Sequence, residues 1–451
     1  MTGLVDLPEE ILEGIIDELN TSSQKSICLV SRTFLVLGQQ ALFRFVDLSY
    51  DVKKEYNPTQ TPAFCANLLS VFTTNPTLIN YVRNITVSQA GTFELEEDIE
   101  DDANFLTFKG WIRDHSCIVA ELLELLASAP IQTFSLTSIP VVLIWSQMEQ
   151  RFRDVLLAIF RKPTLEELVL NGVTLPSYLF PGALGPNIQT LNLFIPFIDR
   201  SVPLDDPQLI AEGDLFENGC SSSLLPPMRI SQLILHYVCL WEEFNRIQDL
   251  DLHFIGPEMG VDLSKVESLG LNLVQYTPSL DRFIQSKVLK KLLLVRSYID
   301  PSDPDWYLDI SPLESVSKLG FCRLCAAGLD ADAFGWVDNA LTTLPLPHPT
   351  LNEIVIGLDT DFEVIYQEEF PYMATFFNTL SRFQNSSNGT LKRIEIHIWF
   401  SEAKLKKEEI EQNRDLLKLR DKIRGMVPDG LGELLEIIIP SLEWEDMRNW
   451  F

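Results

Sequence analysis

Apolar residues follow two rhythms along this chain. At the start, "LPEEILEGIIDEL" (Leu7 to Leu19) places Ile11, Leu12, Ile15, Ile16 and Leu19 on one helical face. Asp6 is positioned to cap this helix, with Glu9 three residues on and Pro8 in the first turn, where its missing N–H costs nothing. Asn20, Thr21, Ser22 and Ser23 break the pattern and cap a second helix, whose apolar Ile27, Val30 and Phe34 recur at helical spacing. A third segment runs from Leu35 to Phe45 and ends in "ALFRFVDL". Three short helices bury too little to stand well alone, so the module is expected to lean on other structure.

Beyond it the rhythm changes to apolar-x-x-apolar-x-apolar. Copies begin at Phe43, Val82, Ile131, Leu165, Ile188, Ile230, Val266, Leu289, Val316, Leu351, Leu391 and Leu434. From Val82 to Leu434 there are ten intervals over 352 residues, a mean near 35. Several copies follow Pro or Gly, as in "PTLEELVL", "PNIQTLNL", "PTLNEIVI" and "GTLKRIEI". The last two apolar positions alternate as on one face of a short strand, and the first packs beneath. Such a unit needs a neighbour to cover its core, which predicts parallel strands stacked as an array with the connecting chain returning on the other side. "IVAELLELLASAP" (Ile118 to Pro130), "WSQMEQRFRDVLLAIFRKP" (Trp145 to Pro163) and "MATFFNTLSRF" have the spacing of return helices.

Two resemblances give these patterns a family. The stretch Leu7 to Val46, with "LPEEIL", "SICLVSRTF" and "ALFR", resembles the F-box, the helical module by which substrate receptors join cullin-type ubiquitin ligases. It is closest in style to the variant common in proteins of mushroom-type fungi, and it departs from the family at Phe34 and Phe43, where Trp is frequent. The resemblance implies that Leu7, Pro8, Ile11, Ile15, Leu19, Leu29, Val30 and Phe34 contact a Skp-type adaptor and, through it, a cullin. The array resembles leucine-rich repeats: intervals of 23, 23 and 27 residues before Ile188, Leu289 and Val316 are ordinary for that class, and those of 34 to 49 exceed it. With the repeat ladder's Asn mostly missing, the likeness is to irregular arrays. The expected fold is therefore α/β, a three-helix F-box (4–48) followed by an irregular leucine-rich-repeat-like solenoid with parallel strands (49–451).

Three segments stand outside the array. "ELEEDIEDD" (Glu94 to Asp102) is expected as a solvated loop, 201–227 as a long Pro/Gly/Ser-rich loop, and 401–425 as a charged helix.

Composition narrows the function classes. A formal net charge of -29, from 64 acidic and 35 basic residues, opposes phosphate backbones and anionic membrane surfaces. Neither nucleic acid nor membrane is an expected partner. Seven scattered cysteines without framework spacing, no secretory leader and no long apolar run point to a cytoplasmic or nuclear protein. Phosphate loops, dinucleotide fingerprints, paired His motifs and nucleophile elbows are missing from the sequence. Cys322 and Cys325 form a lone C-x-x-C without a second pair of ligands, and His115, His236, His253, His348 and His397 are widely separated. No catalytic residue, metal or cofactor is expected. The expected function is a non-catalytic receptor whose array holds a protein substrate, with a protein-interaction scaffold outside any ligase as the alternative. On the strand face away from the core, Asn192, Phe194, His236, Asn272, Glu395 and His397 are the candidate substrate contacts.

Overall fold

A computed structural model describes residues 7–51, 63–90, 112, 116–139, 143–145, 148–174, 184–194, 230–236, 263–273, 287–296, 309–325, 331–360, 371–386, 391–400 and 414–438. The expected loops at 94–102 and 201–227, and the first half of the charged helix at 401–425, lie outside the described residues; 414–425 is helical. Two compact units divide the chain, one of Met1–Arg229 with Pro257–Val261 and one of Ile230–Gly256 with Asp262–Phe451. The boundary expected at 48 falls within the first unit, because the first strand runs straight on from the third helix.

The first unit opens with α1 (Glu9–Asp17), α2 (Thr21–Ile27) and α3 (Arg32–Arg44). Five parallel strands then pair in the order β1 (Phe45–Asp51), β2 (Asn84–Ala90), β3 (Thr133–Ile139), β5 (Glu167–Asn171) and β7 (Thr190–Phe194). A side pair, β4 (Leu143–Ile144) with β6 (Val173–Thr174), branches off it. Between strands lie α4 (Ala63–Thr74), α5 (Ser116–Leu126) and α6 (Gln150–Phe160). In the second unit seven strands pair in chain order, all parallel: β8 (Gln232–His236), β9 (Ser268–Leu273), β10 (Lys291–Arg296), β11 (Lys318–Cys325), β12 (Glu353–Thr360), β13 (Arg393–Phe400) and β14 (Leu435–Ile438). Its helices are α7 (Ala331–Thr343), α8 (Pro371–Ser386) and α9 (Arg414–Gly425). The α/β class and the parallel strands are as expected. No described helix is long and apolar enough to cross a membrane.

Every copy of the sequence motif lies at a strand, and the pairings align copy with copy. Taking the first apolar residue of a copy as position 0, position 2 of one strand faces position 2 of the next: Asn84 with Thr133, Thr133 with Glu167, Ser268 with Lys291, Lys318 with Glu353 and Glu353 with Arg393. Positions 0, 3 and 5 fill the core: from Val82, Ile85 and Val87 to Leu391, Ile394 and Ile396, none exceeds 2% exposure among those described. The last copy is shifted. Leu435 faces Ile394, so position 0 falls at Gly432 and not at Leu434, and Leu431 is the buried residue beside it.

Helices close the core face with aromatic side chains. Phe72 of α4 meets Phe43 edge-on at 5.8 Å, Phe160 of α6 meets Phe134 at 5.9 Å, and Trp336 of α7 meets Phe321 at 5.5 Å. Each such pair adds about 0.5–1.5 kcal/mol beyond its buried area. Helix α4 and helix α7 have no counterpart in the expected elements. Helices α5 and α6 end at Leu126 and Phe160, a few residues before Pro130 and Pro163.

The "PT" lead-in has a physical role. The hydroxyl at position −1 donates to the position 0 carbonyl of the preceding repeat: Thr164 Oγ1 to Ile131 O at 2.7 Å, Ser315 Oγ to Leu289 O at 3.0 Å, and Thr350 Oγ1 to Val316 O at 2.8 Å. Just before Thr350, buried His348 staples the same junction. Its Nε2 donates to Leu313 O at 2.8 Å and its Nδ1 accepts the Leu351 N–H at 3.0 Å. At the outer strand of the first unit, Asp47 Oδ1 accepts the Ser49 N–H at 2.9 Å. Close approach requires glycine at 172, and at 320 an added Cβ would displace a leucine side chain. Gly172 has φ +67°, and a Cβ there would lie 1.9 Å from Ser138 O; a Cβ at Gly320 would lie 2.6 Å from Leu293 Cδ1.

Two stability predictions follow from these contacts. Gly172→Ala is expected to cost more than about 1 kcal/mol in urea unfolding, because the left-handed backbone and the Ser138 carbonyl both oppose a side chain. Burial lowers the His348 pKa from its ordinary 6.5, so the fold holds the neutral ring and proton uptake favours the unfolded chain. The contribution is intact above pH 6.5 and is lost as the pH falls below it. Urea titrations should show His348→Gln losing about 1–3 kcal/mol at neutral pH, with a shallower decline than the unaltered chain towards acid.

Candidate functional site

Two surfaces carry the candidate residues. The first is built by the N-terminal helices. Pro8 occupies the N-cap of α1 without a side-chain cap, and its carbonyl accepts the N–H groups of Ile11 and Leu12 at 3.0 and 3.1 Å. The expected capping residue, Asp6, lies outside the described residues. Asn20 caps α2, accepting the Ser23 N–H at 2.9 Å, and Gln24 Nε2 ties that helix to the end of α1 through Ile16 O at 3.1 Å. Ser31 caps α3 by accepting the Phe34 N–H at 3.3 Å. The second and third helices therefore break between Ile27 and Arg32, earlier than the sequence spacing indicates.

That break decides which side chains face outward. Leu12, Ile16, Phe34 and Leu37 form a small core, with Ile27 and Ala41 against it. A Cβ at Gly38 would sit 2.4 Å from Cys28 Sγ, so glycine lets α3 approach the end of α2. Left outside are Leu7 and Ile15, each 38% exposed, Ile11 at 52%, and Leu29 and Val30 in the α2–α3 turn at 88% and 69%. Pro8 is exposed beside them and Leu19 is half-buried. Phe34, expected as an adaptor contact, is instead buried in the module, because the Ser31 cap starts α3 early and turns the ring inward. Leu35 and Val36, not among the expected contacts, are exposed. Below the module a polar cleft of about 360 Å³ is lined by Glu13, Asp17, Gln40, Arg44, Tyr81 and Arg83 among others. Arg44 Nη1 pairs with Asp17 Oδ2 at 2.9 Å, and Arg83 Nη1 donates to the carbonyls of Asn80 and Val82 at 2.7 and 2.9 Å.

The second surface is the strand face away from the core, made of positions 2, 4 and 6. In the first unit Asn192 lies beside Val169 and Phe194 is paired with Asn171; in the second, His236 ends β8, Asn272 is paired with Val295, Glu395 with Val355 and Glu436, and His397 with Gly357 and Ile438. The side chains of Phe194, His236 and Asn272 lie outside the described ones. Among the described candidate side chains, Glu395 and His397 bond each other. His397 Nε2 lies 2.9 Å from Glu395 Oε2, and Arg393 Nη2 lies 2.7 Å from Glu395 Oε1 and 2.6 Å from Glu436 Oε2. Lys318 Nζ pairs with Glu353 Oε1 at 3.0 Å alongside. The hydrogen bond from His397, with Arg393 next to it, holds the Glu395 carboxyl below its ordinary pKa against the opposing effect of burial. The partners Arg393, Glu436, Lys318 and Glu353 are position 2 and 4 residues, so the same alternation that selected Glu395 would have found them.

Little among the described residues suggests an activated nucleophile or metal ligand set. Burial pushes the Cys65 thiol up to about 12, and raises those of Cys322 and Cys28. Cys322 is buried, and Cys325 lies past a register shift between Phe321 and Leu324. No group of three or more His, Cys, Asp and Glu among the described residues is placed to hold a metal ion.

No family model matches the chain, and no curated protein matches it.

The Glu395 cluster yields a prediction. A carboxyl whose folded pKa is depressed contributes stability that is present above its ordinary 4.5 and lost as the pH falls through the folded value. Glu395→Gln should therefore cost about 1–3 kcal/mol at neutral pH, because it leaves Arg393 and His397 with a weaker acceptor. Paired unfolding curves should show the gap from the unaltered chain closing below pH 4.5.

Proposed function

We propose that this chain is a non-catalytic substrate receptor of a cullin-type ubiquitin ligase. Its N-terminal helices, resembling an F-box, dock a Skp-type adaptor, and its leucine-rich-like strand array holds a protein substrate. The observation that carries the reading is the outward placement of Leu7, Ile11, Ile15, Leu29 and Val30 on a module whose own core is already filled by Leu12, Ile16, Phe34 and Leu37. A small helical module gains nothing from showing large aliphatic side chains to water. Covering a fully exposed side chain of this kind contributes about 1.5–3 kcal/mol and a half-exposed one about half of that, so the five together offset part of the cost of association.

The spacing of the stripe supports a flat partner surface. Ile11 and Ile15 lie one turn apart on α1 with Leu7 just before its N-cap, and Leu29 with Val30 adds exposed side chains from the α2–α3 turn. A receptor of this kind works by proximity. Anchoring at one end and holding substrate at the other raises the effective concentration of substrate at a transfer centre carried by other subunits, with no reacting group needed in this chain. Localisation to cytoplasm or nucleus accompanies the proposal, since ubiquitin ligases of this type act there.

A pull-down with purified Skp-type adaptor is the test. The unaltered chain is expected to bind, and Leu7→Asp with Ile11→Asp to weaken binding more than about a hundredfold, with helical circular dichroism retained because neither residue belongs to the module core. Failure of the unaltered chain to bind, or undiminished binding by the double variant, would overturn the reading. Adaptor binding without cullin recruitment would mark an interaction scaffold instead.

A further inference from the structure

Helix α3 belongs to two cores at once. Phe34 and Leu37, each 3% exposed, close on Leu12 and Ile16 of α1. In its last turn Phe43 stands at position 0 of the first copy of the strand motif and meets the buried Phe72 of α4 edge-on. No connecting residue separates this helix from the array, because α3 ends at Arg44 and β1 begins at Phe45. Arg44 itself stands at position 1. Its carbonyl accepts the Arg83 N–H at 3.0 Å, the bond that position 1 makes at the later junctions. Val46 and Leu48 then carry the apolar set into the core of the sheet.

The rest of the module reaches the array through this helix. Both α1 and α2 pack on α3, and α3 packs in turn on the 3-10 turn Pro76–Tyr81, which leads into β2. Glu13 and Asp17 of α1 share the polar cleft with Tyr81, Arg83 and Gln132 of the array, yet Asp17 pairs with Arg44 of α3. The end strand of a stacked array has a neighbour on one side alone, so its core needs cover from another element. Here α3 supplies that cover. A close-packed helix of 13 residues that fixes side chains in both cores cannot loosen in one and keep its packing in the other.

We propose that the N-terminal helices cap the strand array as well as carrying its docking face, so that the module opens and closes together with β1 and β2. A partner covering Leu7, Ile11, Ile15, Leu29 and Val30 then holds the first strands shut without touching them. That consequence rests on the docking reading, whereas the cap itself does not. A ligand of the closed module alone suppresses every opening that includes the module, by about a hundredfold when present at about 100 times its Kd.

Hydrogen–deuterium exchange of the full chain, read by mass spectrometry, tests both parts. Ile16→Val removes one methylene from a core made of module residues. It is expected to quicken exchange in 45–51 and 84–90 as well as in 9–44, by about two- to tenfold, and to leave 353–360 and 393–400 unchanged. Phe72→Leu, made in the array, should in return quicken exchange in 9–27. Acceleration by Ile16→Val that stops at residue 44, or that is equal at 353–360 and 393–400, would overturn the cap. Purified Skp-type adaptor should slow exchange of the unaltered chain in 45–51 and 84–90 as well as in 7–44. Slowing confined to 7–44 would overturn the coupling. An adaptor that does not bind would remove the receptor reading, and the two variants would still decide the cap.

Discussion

One backbone interaction recurs at eight of the strand junctions of the array. The carbonyl at position 1 of a repeat accepts two successive N–H groups from positions 1 and 2 of the following repeat. Arg83 O takes Gln132 N and Thr133 N at 2.7 and 3.1 Å, and Gln132 O takes Glu166 N and Glu167 N at 2.8 and 3.0 Å. The same fork occurs at Glu166, Ser231, Glu267, Lys290, Ser317 and Asn352. Because each fork engages both N–H groups, a strand cannot slide by one residue without stranding a donor and turning its apolar set away from the core. The aligned rows, the filled core and the polar face all follow from this fixed start.

Much of that arrangement was legible in the residues. Alternation at positions 3 and 5 identified the strands, and the shared lead-in identified their common start, since Thr164, Ser315 and Thr350 each bind the repeat before them. The last copy was misplaced by two residues. In "LGELLEIIIP" apolar residues occupy both faces, so no alternation distinguishes one register from its neighbour, and only the pairing of Leu435 with Ile394 resolves it. Helix α4 lacks the two-sided stripe that marks a helix in sequence, because "AFCANLLSVFTT" is apolar nearly all round.

The candidate residues divide by the same logic. The spacing puts Ile11, Leu12, Ile15, Ile16 and Leu19 on one helical face, but α1 divides them, turning Leu12 and Ile16 into the module core and leaving Ile11 and Ile15 outside, and the Ser31 cap likewise puts Phe34 in the core. Strand alternation says which face Glu395 and His397 take, not which neighbours they bond. Their partners are each other and Arg393, spaced two residues apart on one strand, and the cross-strand bond of the cluster runs from Arg393 to Glu436.

The bond from Ser49 N–H to Asp47 Oδ1 has a bearing on how this protein avoids unwanted company. β1 is the outermost strand of its ladder, and an outer parallel strand presents N–H groups to any extended chain that drifts alongside. Here one of those donors is already occupied by a neighbouring carboxylate, and the carboxylate's charge repels acidic copies of the same chain. Lateral strand addition, the usual first step from a soluble sheet to a fibril, is thereby discouraged at its most accessible point. Neighbouring copies of the array are thereby kept from joining edge to edge at this strand.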